Sequence, residues 1–509
     1  MKTNMIQYFQ ETISNYAERI ALVHGEERIS FQELDRKCRN FAKAILEKNV
    51  DIINRPIAIY LPKSISCIIA DIGTIYSGNA YMNLDVKTPE TRIRNIAEQI
   101  KPAYVITDQS RKADFLKSDY EVLYIEDLLL EKEERDTVLL ERLSRAIDTD
   151  PLCVINTSGS TGIPKGVVLN HRSFKDYTEW AIRAVDFGEH VIVGSLSPIV
   201  FDHFSFEVCL LMVKGVTLVI LEESMSAFPI KLLEQMKKEN VTFIFWVPTI
   251  MVNIANMNLL EKIELPTLKM VWFAGEVFPT RQFNYWRNHL PDVKFVNLYG
   301  PAECTVDCIY YIVERELSDD EPIPIGFPCR NTDILLLKED NSLAAQGEEG
   351  EICVRGTSLA MGYYRSPEKT AAAFVQNPLN DAYPELIYRT GDIAYMNDRG
   401  EYVFKGRKDT LIKHMGYRIE LSELEHIAGF ALEEIQNCCV LYHAETKEIV
   451  LVYESQEELK PAAVRKELAQ HCPKYMIPVK YIRMESLPMN TNGKVDRLKV
   501  QNLIWEEGR

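Results

Sequence analysis

The chain lacks any long hydrophobic run: its longest mainly apolar stretch, Val241 to Val252, is too short to cross a bilayer. Its start, MKTNMIQYFQETISNY, has one Lys but no apolar core of signal-peptide length. Together these absences predict a cytoplasmic protein with no membrane insertion. Positive charge is short as well, with 58 Lys+Arg against 74 Asp+Glu and a formal charge of −16, so no nonspecific attraction to a phosphate backbone is expected and nucleic acid is excluded as a partner. The eleven cysteines include no C-x-x-C, and neither Cys304/Cys308 nor Cys438/Cys439 has the paired spacing of a zinc site; reduced, mostly buried thiols are expected. No repeat of about 20 to 50 residues recurs, which removes solenoids and propellers. What remains is a globular composition: 509 residues, 46% hydrophobic and 26% charged, with 23 Gly and 23 Pro spread along the chain.

Short apolar runs alternate with amphipathic stretches through most of the length. VTFIF (241–245), Ile250 to Asn256, MVWFA (270–274), Arg281 to His289 and VKFVN (293–297) read as strand, helix, strand, helix, strand. This alternation predicts an α/β protein whose large N-terminal body has mainly parallel sheets flanked by helices. The tail after GRKDT (406–410) reads as helix (Ser422 to Phe430), strand (Cys438 to Tyr442), strand (Ile449 to Tyr453), helix (Pro461 to Gln470) and strand (Lys480 to Arg483), a small α+β lid. The expected division is a body over 1–407, a hinge at 408–409 and a mobile C-terminal domain over 410–509.

The most informative stretch is INTSGSTGIPKGVV, in which a β-branched strand runs into Thr157, Ser158, Gly159, Ser160, Thr161 and Gly162, followed by Lys165. Small hydroxyl residues between glycines let N–H groups and Oγ atoms close around phosphate oxygens, and the lysine supplies countercharge. The order differs from the G-x-x-x-x-G-K-[ST] loop, because Lys165 follows a proline and precedes a glycine. A flexible Ser/Gly linker is the alternative. Glu303, after a Tyr-Gly-Pro turn, is a carboxylate able to hold a Mg²⁺ that bridges phosphates. Asp392, at the end of YRTGD, can accept hydrogen bonds from vicinal hydroxyls.

Ten motifs in order, ISFQEL (29–34), YSGNAYMNLD (76–85), TSGSTG, FDHFSFE (201–207), NLYGPAE (297–303), GEICVRGTSLAMGYY (350–364), YRTGD (388–392), GRKDTLIKHMGYRIELSELE (406–425), KYMIP (474–478) and NGKVDR (492–497), carry a resemblance that covers nearly the whole chain. The chain resembles the ANL superfamily of adenylate-forming enzymes, and within it the amino-acid adenylation domains of nonribosomal peptide synthetases and the D-alanine:carrier-protein ligases. The resemblance implies ATP and Mg²⁺ as cofactors. It assigns the TSGSTG loop and Lys165 to the phosphates, and Asn297, Tyr299 and Gly300 to the nucleotide, with Tyr299 stacked on adenine. Glu303 would hold the metal, Asp392 and Arg407 the ribose, and Lys494 would be the catalytic cation at the substrate carboxylate and α-phosphate. Asp409 would be the hinge, and Gly416 would lie in a segment that turns toward the site for the second half-reaction.

For the substrate, the resemblance places an aspartate that pairs with an α-ammonium at Asp202, whereas acyl- and aryl-CoA ligases usually lack it. Asp202 as the N-cap of the helix that follows is the bland alternative. The carried-over pocket comprises His203, Phe206, Phe245, Trp272, Ala274, Leu298, Val306 and Asp307. Its three large aromatics favour a small side chain. The D-alanine ligases typically place Cys at the position of Ala274, and Asp307 could instead select a polar or cationic side chain. No carrier segment follows NGKVDR, so the expected acceptor is the phosphopantetheine thiol of a carrier protein in trans. The expected function is activation of an amino acid as aminoacyl-AMP and its transfer to that thiol; an acyl- or aryl-CoA ligase is the alternative.

Overall fold

The strand MVWFA runs as Met270–Ala274, and its side chains divide by the two-residue period: Val271 and Phe273 enter one apolar core, Trp272 and Ala274 another. The structure is a computed structural model. It describes residues 2–505 apart from 89, 112, 132–135, 158–164, 408–410, 415–416, 444–445, 447, 472–475 and 491–493.

Met270–Ala274 lies inside a nine-stranded sheet, between the parallel strands Phe243–Trp246 and Lys294–Tyr299, with Ile192–Ser195 beyond the first. Crossover connections carry the helices Pro248–Asn256 and Thr280–His289, as the alternation predicts. The register sets Phe245 beside Trp272 and Trp272 beside Val296, and two residues on it sets Ala274 beside Leu298. These side chains therefore line one face of the sheet. The helix Asp202–Lys214 packs against that face through Phe206, whose ring stacks on Trp272 at 5.6 Å between centroids and 5° between planes.

A seven-stranded sheet, also mainly parallel, holds Pro56–Ile59, Ala80–Asn83 and Pro151–Thr157, and ends with Lys165–Asn170 and the two-residue strand Gly362–Tyr363. A third sheet, antiparallel throughout, is built on Glu349–Gly356, Leu386–Met396 and Tyr402–Arg407. Beyond residue 410 come the hairpin Leu411–His414 with Tyr417–Glu420, then the helices Leu421–Ala431 and Pro461–His471 around a three-stranded sheet of Asn437–His443, Glu448–Glu454 and Lys480–Met484. The tail thus has the elements expected of it, together with that hairpin and a last helix, Arg497–Trp505, which the sequence reading does not contain. Nine of the ten described cysteines are buried and Cys438 is half-buried. Among the described residues no helix is long and apolar enough to cross a membrane.

Candidate active site

Asp202 is the first residue of its helix. The N-cap position belongs to Phe201, which offers no side-chain cap, so the capping role considered for Asp202 does not hold. Its half-buried carboxylate instead accepts the His203 amide at 3.0 Å and also faces the amide of Val306. Burial pushes its pKa up to about 7, against the pull of these amides and with a smaller push from Glu303. No ion pair reaches Asp202 among the described residues.

The Val306 amide arrives through an unusual backbone. Thr305 and Val306 both lie in the left-handed region, at φ 53° and 66°, a conformation costly for β-branched residues. Two contacts hold it there. The Thr305 hydroxyl donates to the Ser358 carbonyl at 2.8 Å, and Gly300 permits an approach that a Cβ would close, meeting the Asp307 Cα at 2.4 Å.

Around Asp202 the structure gathers the expected pocket residues. Phe206, Phe245 and Trp272 are fully buried and pack ring against ring, with Ala274, Leu298 and Val306 buried in the same core. His203 lies with its ring centroid 4.2 Å from that of Phe245, and its Nδ1 has no partner among the described residues. Burial first, and the charge of Lys494 second, draw its pKa down to about 3, so the ring is neutral. Asp307 is buried and accepts the Tyr177 hydroxyl at 2.8 Å.

On the nucleotide side, Asp392 lies in the strand Leu386–Met396 and accepts the Tyr299 hydroxyl at 2.5 Å. The Asn297 side-chain amide donates to the Pro324 carbonyl at 2.8 Å. Glu303 accepts the Tyr363 hydroxyl at 2.7 Å on Oε1, and the Lys165 ammonium sits 4.9 Å from the centroid of the Tyr363 ring. The two strands flanking the Ser/Gly loop are antiparallel partners, with Thr157 opposite Lys165. Ser158, Gly159, Ser160, Thr161, Gly162, Lys408, Asp409 and Gly416 lie outside the described residues, as does the side chain of Arg407. Lys494 is exposed, its amide donating to Asn490 at 3.1 Å, and its charge is felt by both His203 and Glu276.

Among the described residues no group of three or more His, Cys, Asp or Glu side chains could hold a metal ion. A single carboxylate such as Glu303, with hard oxygen donors and Oε1 already oriented, suits a Mg²⁺ that brings phosphates and water as its other ligands. Three site residues escape sequence reasoning. Tyr363 and Tyr177 act through hydroxyls whose partners are 60 and 130 residues away, which no local pattern encodes. Glu276, in the GEV segment, accepts the Thr249 amide and hydroxyl at 2.9 and 2.6 Å; its pKa is raised by burial, partly offset by Thr249 and Lys494.

A family model described as AMP-binding enzyme matches residues 9–364. The chain is 31% identical over 499 residues to tyrocidine synthase 1 of Brevibacillus parabrevis, a match covering 96% of this chain but 44% of that protein, so it spans under half that relative's length. It is 29% identical over 520 residues to zwittermicin A synthase ZmaJ of Bacillus cereus, covering 100% of this chain and 96% of the relative. Among solved structures, Klebsiella oxytoca NpsA in complex with 3-hydroxyanthranilyl-AMSN superposes with a TM-score of 0.85 at 23% identity, over 99% of this chain and 100% of that one. O-succinylbenzoate coenzyme A synthetase of Bacillus subtilis, in complex with ATP and magnesium ion, does so at 0.83 and 18%, over 98% and 99%. At these identities the likeness to the two structures is one of fold.

Proposed function

The chain belongs to the AMP-binding enzyme family, as an ATP-dependent adenylate-forming enzyme of the nonribosomal-peptide-synthetase adenylation type, and from that premise we propose that it activates a small amino acid as aminoacyl-AMP and passes it to a carrier-protein thiol. The observation that carries this reading is Asp202: a recessed carboxylate, held up to about pH 7 by burial and without a cation among the described residues, suits a substrate that brings its own ammonium. The fully buried aromatic wall of Phe206, Phe245 and Trp272 supports a small side chain.

In the first half-reaction a carboxylate oxygen of the amino acid attacks the α-phosphorus of ATP, and pyrophosphate leaves. Lys494, whose charge reaches His203 and Glu276 at the recess, supplies a cation where negative charge grows on the transferring oxygens. Glu303, steadied by Tyr363, would hold a Mg²⁺, which when bound neutralises phosphate charge. Asp392 and Arg407 would hold the ribose, Tyr299 the adenine, and the TSGSTG loop with Lys165 the phosphates. In the second half-reaction the phosphopantetheine sulfur attacks the acyl carbon, its proton is lost and AMP departs. A carrier protein is the proposed acceptor, in keeping with the likeness to nonribosomal peptide synthetases.

The test is ATP–pyrophosphate exchange over a panel of amino acids, aryl acids and acyl acids, repeated with Asp202→Ala. Exchange is expected with small amino acids, and the variant should raise the amino-acid KM at least about a hundredfold, as loss of one member of a recessed ion pair does. Exchange with aryl or acyl acids alone, or an unchanged amino-acid KM, overturns the reading in favour of an acyl- or aryl-CoA ligase.

A further inference from the structure

Asp307 is buried to 1% exposure, yet its carboxyl is only half engaged. The Tyr177 hydroxyl occupies Oδ2 at 2.8 Å, whereas Oδ1 is buried with no hydrogen-bond partner among the described residues. Folded proteins rarely leave such an atom unpaired, because it forfeits its hydration for nothing in return. Its position ties it to the recess. Asp307 directly follows Val306, whose amide faces Asp202, and the charge of Asp202 is felt by the Asp307 carboxyl. The Tyr177 ring that holds Oδ2 packs edge-on against Phe206, at 5.1 Å between centroids.

We infer that the amino acid taken by this chain has a short side chain ending in a hydroxyl, and that Asp307 Oδ1 is its hydrogen-bond partner. This rests on the amino-acid reading above and narrows it. Length is limited by the fully buried Phe206 and Trp272, whose rings stack at 5.6 Å between centroids. Polarity is set by the unpaired oxygen. The choice of hydroxyl over ammonium follows from charge: burial, and then the nearby Asp202, push the Asp307 carboxyl well above the usual carboxylate range. With Oδ2 accepting from Tyr177, the proton of the neutral acid resides on Oδ1, where it can be donated to a hydroxyl oxygen. A side-chain ammonium has no acceptor to offer that proton and would require a second buried anion beside Asp202.

The test compares serine with 2-aminobutyrate, which replaces the hydroxyl by a methyl at nearly the same size, and with alanine and 2,3-diaminopropionate, in ATP–pyrophosphate exchange by the full chain. Wild type should favour serine over 2-aminobutyrate by about a hundredfold or more in kcat/KM, since a site built to bond a hydroxyl strongly rejects its apolar isostere. Asp307→Ala should bring that ratio toward one. Tyr177→Phe, which frees Oδ2 while keeping the ring, should narrow it and serves if the first variant does not fold. Equal use of serine and 2-aminobutyrate, a preference for 2,3-diaminopropionate, or a serine preference that survives both variants overturns the inference and leaves amino-acid activation standing. Exchange with no amino acid at all overturns the parent reading, and this one with it.

Discussion

Single carboxyl groups at this site have been given different environments, and their chemistry follows. Asp202 titrates near pH 7 because burial outweighs the amides that face it. The sign of the consequence is fixed: between the ordinary carboxylate range and pH 7 the folded protein keeps a proton that the unfolded chain has lost, so this group weighs against folding as pH rises to 7 and no further. Substrate binding runs the other way, because an ammonium pairs with the ionised form. Amino-acid kcat/KM should therefore rise about tenfold per pH unit up to roughly pH 7 and then level, and Asp202→Asn should flatten that limb; a wild-type limb unchanged in the variant assigns the titration to another group. Glu303 is tuned instead by position. Tyr363 holds its Oε1 and supports Lys165 on its ring, so one residue braces two groups proposed to handle phosphates. Tyr363→Phe keeps the ring and loses the hydroxyl, and should raise the Mg²⁺ concentration needed for half-maximal exchange by about tenfold with the amino-acid KM unmoved. An unaltered Mg²⁺ titration would confine Tyr363 to packing.

At the scale of elements, the helix Asp202–Lys214 is anchored from behind by a buried polar cluster. Lys63, just before the helix Ile65–Tyr76 of the seven-stranded sheet's layer, donates to the carbonyls of Ser195 and Ser197 at 2.8 Å each, at the end of a strand of the nine-stranded sheet. Ser195 in turn bonds Glu207 on the site helix. Burial draws Lys63 down to about 8 and pushes Glu207 up to about 7, with each charge partly restoring the other. The cluster stitches two sheets and the helix that presents Asp202. Lys63→Met should lower unfolding free energy by about 3 kcal/mol, since it strands two carbonyls and a buried acid. Equilibrium denaturation measures this, and a loss within experimental scatter would show that the sheets are held by apolar packing alone.

At the scale of the whole molecule, the charge of Lys494, near the C-terminus, is felt by His203 and Glu276, and Arg281 pairs with Glu433 at 3.6 Å between the same two regions. This arrangement suits the first half-reaction, and the proposed hinge at Asp409 would supply the other. Lys494→Ala is expected to cut adenylate formation roughly a thousandfold, while thiol attack on a supplied aminoacyl-adenylate stays near wild type. Pyrophosphate exchange and single-turnover carrier loading read the two steps separately, and an equal fall in both would remove the rotation from the mechanism.

The linear order of residues by itself determined many of the elements and the chemically capable groups, though not the hairpin Leu411–His414 with Tyr417–Glu420 or the last helix. Met270–Ala274 and Pro461–His471 follow from period and boundary residues, and the order of TSGSTG, FDHFSFE, NLYGPAE, YRTGD and NGKVDR carries the family. Tertiary structure alone decided which groups meet and how each ionises. Strand register set Phe245, Trp272 and Leu298 on one face, and packing left Asp202 without a cation among the described residues. It also gave Asp307 to Tyr177 and Glu303 to Tyr363 across 130 and 60 residues. The physical reason is that periodicity is a property of neighbours along the chain. Desolvation and hydrogen bonding depend on neighbours in space, which only the packed fold supplies.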